Sequence, residues 1–347
     1  GIVYKTPYYA DFLKTDGRYA PHNKGGTFRK LAGNEDHIIK YDEASVAQLS
    51  ELCNKLASKS HYFRTCITWT EISSSTFSSR LLKNGFTFNI KGPSLFFEED
   101  KKFELLSYFC SSTFAYLLSF INQTISFNGG DIERVPFIEL SEVSKARAQA
   151  IAQNCYGKVR TDWDAYETSW DFTTLPLLSP DHRGETLADS YTTLRAHWQS
   201  MTDEMQRLEE ENNRIFIDAY GLQDELTPEV PLEEITLTCN PAYRYGVKGS
   251  EEDRETRLRA DTMAEFLSYA VGCMFGRYSL DAPGLILANQ GERLEDYLAR
   301  IPEPSFMPDE DNVIPVLDGD WFADDITERF RLFLRVTFGE AHFREHL

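Results

Sequence analysis

The amino-acid sequence predicts an α+β chain with three successive parts. A mixed α/β region covers residues 1–140, a connector and long spacer helix cover 141–221, and a mainly helical region covers 222–347. Three observations support this prediction: short segments rich in β-branched and aromatic residues come first, an unbroken heptad pattern follows, and helical apolar spacing dominates the rest. A length of 347 residues is enough for two or more domains, each with its own core.

The first region alternates between helical and strand-like segments. Residues 43–58 carry apolar residues at helical spacing, and residues 61–70 read HYFRTCITWT, which is typical of a strand. Asn84-Gly85 predicts a hairpin turn that leads into strands near Phe86–Ile90 and Ser94–Phe97.

The apolar stretch Phe103–Ile121 is long enough to span a bilayer. It contains Glu104 and several serines, however, and polar sequence follows it directly. A buried core helix is therefore favoured over a membrane span, and we predict no association with membranes.

The second region contains the clearest periodicity of the chain. After a predicted helix at 144–158, a series of positions is spaced alternately by four and three residues up to the helix stop Gly221. These positions are Leu187, Tyr191, Leu194, Trp198, Met201, Met205, Leu208, Asn212 and Ile215. A single apolar stripe needs a partner helix. Packing within the chain is favoured over a dimer, so a monomer is favoured, although the pattern leaves the oligomeric state open.

The third region begins with a strand-like segment at 232–239 and continues with a long helix over 252–280. Gly272 and Gly276 lie four residues apart in that helix, which would allow a second helix to approach closely.

Charge is distributed unevenly. Residues 1–140 contain 16 basic and 15 acidic residues, and the remaining residues contain 20 basic and 40 acidic ones. Within 18–95 there are 11 basic and 6 acidic residues. Such a division is typical of one part that contacts nucleic acid and one that stays solvated or meets other proteins. Random variation of surface charge is the alternative.

Six cysteines are scattered without a C-x-x-C pair, and no signal peptide is visible. They indicate reduced thiols in a cytoplasmic protein rather than disulfides or a zinc site. The first residue is not Met, and the last residues lie inside an amphipathic pattern. Both ends favour a portion of a longer protein.

The segment 23–34, NKGGTFRKLAGN, is the best candidate for contact with a polyanion. It contains three cations, two adjacent glycines and two asparagines, but no carboxylate. Cations can bind phosphates or guanine, asparagine can pair with adenine, and glycine permits close backbone approach. The candidate DNA-binding residues here are Lys24, Gly25, Gly26, Arg29, Lys30 and Asn34.

A second candidate segment covers residues 59–80. It combines cations with a run of hydroxyls that can bind phosphates, and an aromatic side chain that can stack or wedge between bases. Its candidate DNA-binding residues are Lys59, Arg64, Ser73, Ser74, Ser75, Phe77 and Arg80. A strand with a solvated serine-rich turn is the alternative.

Catalytic motifs are not visible. Asn240-Pro241-Ala242-Tyr243 is similar to the [DNS]-P-P-[YFW] loop of adenine methyltransferases, but Ala242 replaces the second proline. A plain turn is favoured there. Lys24 precedes its glycines, which a phosphate-binding P-loop does not allow, and the histidines lack metal-ligand spacing. We therefore predict no catalytic, cofactor-binding or metal-binding residues in this chain.

Several segments together resemble the PglX adenine-specific DNA methyltransferases of BREX phage-defence systems, which are related to type IIG restriction-modification enzymes. They are NKGGTFRKLAGN at 23–34, CITWTEISSSTF at 66–77, INQTISFNGGDIERVPF at 121–137, ETSWDFTTLPLL at 167–178, NRIFIDAYGLQDELTPEVP at 213–231 and SYAVGCMFGRYSLD at 268–281. They follow the family's order. One departure is Leu31-Ala32, where family members often have an aromatic pair, so a stacking role there is in doubt.

The resemblance implies a division of labour. The catalytic domain, with its S-adenosylmethionine site, would precede this region in the parent enzyme. Residues 1–140 would form the target-recognition domain that reads double-stranded DNA, and the heptad helix would be the spacer. Other BREX proteins are possible partners. The competing interpretation is a protein-interaction scaffold that uses its acidic helices and has no direct DNA role.

Overall fold

The computed structural model describes residues 17–52, 56, 58–317, 322 and 324–346. Two three-stranded sheets and a larger set of helices form this part of the chain, which confirms the predicted α+β class. The predicted helix at 43–58 is described only in part, because residues 53–55 and 57, including Cys53, lie outside the described residues.

The chain divides into two compact units. The first contains Gly1–Trp163 and Met201–Arg244, and the second contains Asp164–Ser200 and Tyr245–Leu347. This division differs from the predicted boundaries at residues 140 and 221. The reason is that helical segments beyond residue 140 belong to the same compact unit as the sheets.

Both described sheets lie in the first unit. In one, β1 (Tyr19–Asn23) lies between antiparallel β2 (Ile38–Lys40) and parallel β5 (Thr87–Phe88). In the other, β3 (Cys66–Trp69) lies between β4 (Ser79–Leu82) and β6 (Ser94–Leu95), both antiparallel. Every residue of β3 and β4 is buried, and β3, which reads CITW, has the β-branched and aromatic composition typical of a strand.

The predicted hairpin at Asn84-Gly85 is wrong. The strands on either side of this turn, β4 and β5, belong to different sheets, so the turn carries the chain from one sheet to the other. Gly85 has a φ of +101°, which favours glycine, and its N–H donates to the carbonyl of Phe63. Asn84-Gly85 does form a turn, but turn residues alone do not specify which strands pair.

Ten α-helices lie in the described residues. They are α1 (Glu43–Glu51), α2 (Lys102–Phe109), α3 (Ser112–Ile121), α4 (Gly129–Ile132), α5 (Glu142–Asp164), α6 (Leu187–Tyr220), α7 (Pro241–Tyr245), α8 (Glu251–Met274), α9 (Leu294–Arg300) and α10 (Ile326–Phe338).

The apolar stretch 103–121 forms two helices, α2 and α3, with a bend of 75° between them. The Ser111 hydroxyl caps α3 by accepting a hydrogen bond from the Phe114 N–H. Leu106, Phe114 and Leu118 are buried in the protein, as a core segment requires. No single described helix is long and apolar enough to cross a membrane, and the bent pair reaches that length and composition only when its two helices are combined.

The predicted heptad helix is confirmed as α6. Its seam positions from Leu194 to Asn212 are buried, and Gly221 follows with a φ of +66°. In the first unit this helix packs on α2: the Asn212 amide of the seam donates to the Ser107 carbonyl at 2.9 Å, and the neighbouring Phe216 ring lies 5.4 Å from that of Tyr108.

Two predictions for the third region need correction. Residues 232–239 form no strand; Leu232–Glu234 make a 3-10 turn, and a bend and a second turn follow, closed by the Asn240 N–H, which donates to the Leu237 carbonyl at 3.0 Å. The helix α8 ends at Met274, and Gly272 faces an aromatic ring rather than another helix. A Cβ at Gly272 would lie 2.5 Å from the Tyr278 ring, so this glycine lets the chain fold back on α8.

His22, in β1, has a buried environment that disfavours its charged form. Burial, together with His37 and Lys24, lowers the pKa of His22 from 6.5 to about 4. The Thr87 hydroxyl donates to the Pro21 carbonyl at 3.1 Å, so the His22 Nδ1–H donates to Thr87 Oγ1 at 2.9 Å. Because of its lowered pKa, the imidazole is neutral in the folded protein near neutral pH.

Acid is expected to destabilise the fold through His22. The pKa of His22 is lower in the folded than in the unfolded protein. Its contribution to the free energy of unfolding is therefore complete above pH 6.5 and is lost as the pH falls towards 4. The full loss is about 3 kcal/mol. Urea denaturation at pH 7.5 and pH 5 should show a smaller pH effect in His22→Gln than in the wild type. The control His61→Gln, at a half-buried position, should retain the wild-type effect.

Candidate nucleic-acid interface

The segment 23–34 begins at Asn23, the last residue of β1, and is exposed near its start. Lys24 is exposed and makes no ion pair with the described residues. Gly25 and Gly26 have φ values of +83° and +125°, and a Cβ at Gly25 would lie 2.6 Å from the Lys91 carbonyl oxygen. These glycines are therefore needed for packing within the chain, whether or not DNA approaches them.

Arg29 lies inside the first unit rather than on its surface. Its guanidinium is stacked between the rings of Trp163 and Tyr243, at 4.9 and 5.4 Å from their centroids. It donates to Thr238 Oγ1 at 3.0 Å and lies 3.9 Å from the Asp162 carboxylate. The guanidinium thus has internal partners and is not available to phosphates.

Lys30 is buried as well. Its ammonium forms an ion pair with Glu209 of α6, and its backbone N–H donates to Thr236 Oγ1 at 3.1 Å. Burial raises the pKa of Glu209, and the attraction of Lys30 opposes that rise. The ion pair of Lys30 with Glu209 therefore connects the loop to the long helix α6.

Asn34, Arg80 and Phe77 also have internal roles. The Asn34 amide donates to the Thr27 carbonyl at 2.9 Å, which closes the loop on itself. Arg80 is fully buried; it donates to the Arg29 carbonyl, and burial lowers the pKa of Arg80 to about 10. The Phe77 ring packs in the core, 5.0 Å from that of Phe114.

Four of the candidate side chains lie inside the first unit, where DNA cannot reach them without a rearrangement of the chain. Arg29, Lys30, Phe77 and Arg80 are each less than 9% exposed, and all four side chains make their contacts inside the chain. Their residue types suit DNA, but their positions do not allow it in this structure.

Arg64 lies at the surface beside Phe96, and Lys59 is half-buried beside Ser50. The Arg64 guanidinium lies 5.3 Å from the centre of the Phe96 ring. The centres of the His61 and Phe96 rings are 4.8 Å apart. Arg64 is exposed and forms no ion pair with the described residues, whereas Lys59 donates to Ser50 Oγ at 2.7 Å. Neither cation is paired with a described carboxylate, so both charges can act on an external anion.

The three serines form an exposed turn. The Ser73 N–H donates to the Ile125 carbonyl, and its hydroxyl accepts from the Ser75 N–H at 3.1 Å. Ser74 and Ser75 are exposed. The predicted serine-rich loop thus presents hydroxyls to solvent, as phosphate contact requires.

The polar side-chain groups of Asn240 and Tyr243 form hydrogen bonds inside the chain. The Asn240 amide donates to the carbonyls of Leu232 and Ile235, at 2.7 and 2.9 Å. The Tyr243 hydroxyl donates to the Phe28 carbonyl at 2.6 Å, while its ring contacts Arg29. Neither side chain is free to hold a flipped base, so the motif does not fit a methyltransferase site here.

No group of three or more His, Cys, Asp or Glu side chains among the described residues could hold a metal ion. Burial raises the pKa of the Cys66 and Cys273 thiols to about 12. These two thiols are therefore protonated and poorly suited to nucleophilic chemistry near neutral pH.

Two known proteins are similar to this chain over nearly its whole length. No protein-family model matches the chain. The adenine-specific methyltransferase BrxX of Escherichia coli O9:H4 (strain HS) is 32% identical over 338 residues, which cover 96% of this chain and 27% of that protein. The adenine-specific methyltransferase PglX of Lacticaseibacillus casei (strain Zhang) is 32% identical over 348 aligned positions, with the same coverage. The chain thus spans about a quarter of the length of these relatives. Over that quarter, the chain is similar to adenine-specific methyltransferases of the PglX family.

Proposed function

We propose that this chain supplies target recognition and a helical scaffold within a longer adenine-specific DNA methyltransferase that acts in BREX phage defence. The observation that carries the proposal is the similarity to two adenine-specific methyltransferases over 96% of the chain. The exposed cations and hydroxyls of the first unit support it, because they are the side chains that contact phosphates.

Double-stranded DNA is the proposed partner. Lys24, Arg64 and Lys59 would bind phosphates, and the hydroxyls of Ser74 and Ser75 would add hydrogen bonds. Such contacts fix the register and orientation of a protein on the duplex without reading sequence by themselves.

Methyl transfer is proposed to belong to the rest of the parent enzyme, where S-adenosylmethionine would supply the methyl group. The residues of this chain that are similar to a methyltransferase loop, Asn240 and Tyr243, are occupied within the protein. We therefore assign no step of the reaction to them, and calorimetry of this chain with S-adenosylmethionine should show no binding.

Replacing two exposed cations is expected to reduce the salt dependence of DNA binding. If Lys24 and Arg64 each neutralise a phosphate, the double variant Lys24→Ala/Arg64→Ala should lower the slope of log K against log salt by about 2. Fluorescence anisotropy of labelled duplex DNA over a series of salt concentrations measures this slope.

Lys248→Ala is the matched control, since Lys248 is also exposed but lies in the acidic part of the chain. Its slope should equal that of the wild type. An unchanged slope in the double variant would exclude these two cations as phosphate contacts. If the wild-type chain bound no duplex at low salt and its mass rose with concentration, a protein-interaction scaffold would be the better explanation.

A further inference from the structure

The side chain of Arg64 lies on an aromatic ring and keeps its hydrogen-bond donors free. Its guanidinium carbon is 5.3 Å from the centre of the Phe96 ring. Arg64 is exposed, and its side chain forms no hydrogen bond or ion pair with the described residues. A guanidinium has five N–H donors and no acceptor. The donors of Arg64 are therefore available to an anion in solvent.

The Phe96 ring is held in place by other rings of the first unit. It is half-buried, and its centre lies 5.7 Å from that of Phe88 and 4.8 Å from that of His61. Phe88 packs in turn on the buried ring of Tyr62, with 4.9 Å between the ring centres. These contacts connect Phe96 to the core cluster that contains Tyr62. The ring that Arg64 contacts therefore keeps a defined position.

The backbone directly before Arg64 is restrained as well. Phe63 is fully buried and has a φ of +68°, a conformation that bulky residues rarely adopt. Its N–H donates to the Phe86 carbonyl at 2.7 Å, and its carbonyl accepts from the Gly85 N–H at 3.0 Å. Such conformations persist only where the surrounding structure holds them, and they cluster at functional sites. Arg64 is therefore restrained at its backbone and at its guanidinium.

Arg29 makes the same kind of aromatic contact but has partners for its charge inside the chain. It lies between two rings, donates to Thr238 and lies beside Asp162. The guanidinium of Arg64, by contrast, is exposed. Its planar fork matches the oxygens of a phosphate or a carboxylate. Residues 18–95 contain 11 basic and 6 acidic residues, a charge balance that favours the phosphates of a polyanion.

We propose that Phe96 is a positioning residue for DNA binding, which holds the Arg64 guanidinium ready to bind one phosphate of the duplex. This role rests on the proposed function and extends it to an aromatic side chain that acts through Arg64. A flexible arginine side chain loses rotamer freedom when it binds a ligand. A guanidinium that already lies on a ring loses less of it, and this preorganisation increases the affinity.

A double-mutant cycle, measured by anisotropy titration of duplex DNA, tests this role. Phe96→Leu keeps an apolar side chain but removes the ring, and it should weaken binding about two- to fivefold, which corresponds to an exposed cation–π contact. Arg64→Ala should lower the slope of log K against log salt by about 1. In the Arg64→Ala background, Phe96→Leu should cause no further loss of affinity. Phe96→Tyr keeps the ring and should bind like the wild type.

Arg257→Ala is the matched control, because Arg257 also lies on an aromatic ring, 4.5 Å from the centre of Tyr245, but belongs to the second unit. Its affinity and slope should equal those of the wild type, and circular dichroism should show that every variant is folded.

Three results would overturn the positioning role of Phe96. They are full affinity in Phe96→Leu, an equal loss from Phe96→Leu in the Arg64→Ala background, and an unchanged salt slope in Arg64→Ala. In each case, DNA binding by the wild type still supports the proposed function. Failure of the wild type to bind any duplex at low salt overturns both.

Discussion

Glu209→Ala is expected to lower the free energy of unfolding by about 3–5 kcal/mol, because it leaves the Lys30 ammonium buried without its counter-charge. Both side chains are about nine-tenths buried in the wild type, so solvent cannot replace the lost partner. Urea or guanidinium denaturation followed by circular dichroism measures the change.

Two further variants separate loss of the buried pair from loss of a charge in general. Glu211→Ala changes the same helix two residues away, where Glu211 pairs with the exposed Arg147, and should change the stability by less than about 1 kcal/mol. Lys30→Met/Glu209→Leu replaces both charges with apolar groups and should recover most of the stability. If Glu209→Ala and Glu211→Ala had the same small effect, Lys30 would have another way to satisfy its charge.

Asp162→Ala is expected to destabilise the first unit by a comparable amount, about 3–5 kcal/mol. The Asp162 carboxylate accepts from the backbone N–H groups of Thr238 and Cys239, at 2.6 and 2.9 Å. It also lies beside the Arg29 guanidinium. Alanine would leave two buried donors without an acceptor and a buried cation without its nearest carboxylate.

The matched comparison for Asp162 is Glu204→Ala, which removes a carboxylate that pairs with Lys158 and is 42% exposed. That change should reduce the stability by less than about 1 kcal/mol. Thermal or chemical denaturation of the two variants decides between a structural and a superficial role for Asp162. Equal stability of the two variants would contradict the structural one.

The sequence identified the local elements well where the periodicity was long. The α6 heptad extends over many turns, and its apolar stripe indicates a helix independently of its surroundings. The short segment 232–239 offered only β-propensity, which depends strongly on context. In the structure Thr236 and Thr238 bind the loop residues Lys30 and Arg29 instead of pairing in a sheet.

The candidate site was predicted only in part, and Lys30 shows why. A lysine in a glycine-rich loop is equally suited to a phosphate and to a buried carboxylate, and residue type does not distinguish them. Its partner Glu209 lies 179 residues away in the sequence, so no local pattern links the two. Lys24, at the exposed end of the same segment, remains a candidate for DNA contact.

Under the proposed function, the internal contacts of Arg29 and Lys30 determine which positions could be changed to alter the DNA sequence that is bound. Residues 29 and 30 hold the segment in place, while Lys24 and the serine turn at 73–75 are exposed to solvent. Selection for new target sequences can therefore act on the exposed positions with little loss of folding stability. A substitution library that leaves residues 29, 30, 162 and 209 unchanged would retain the buried contacts that hold the segment in place.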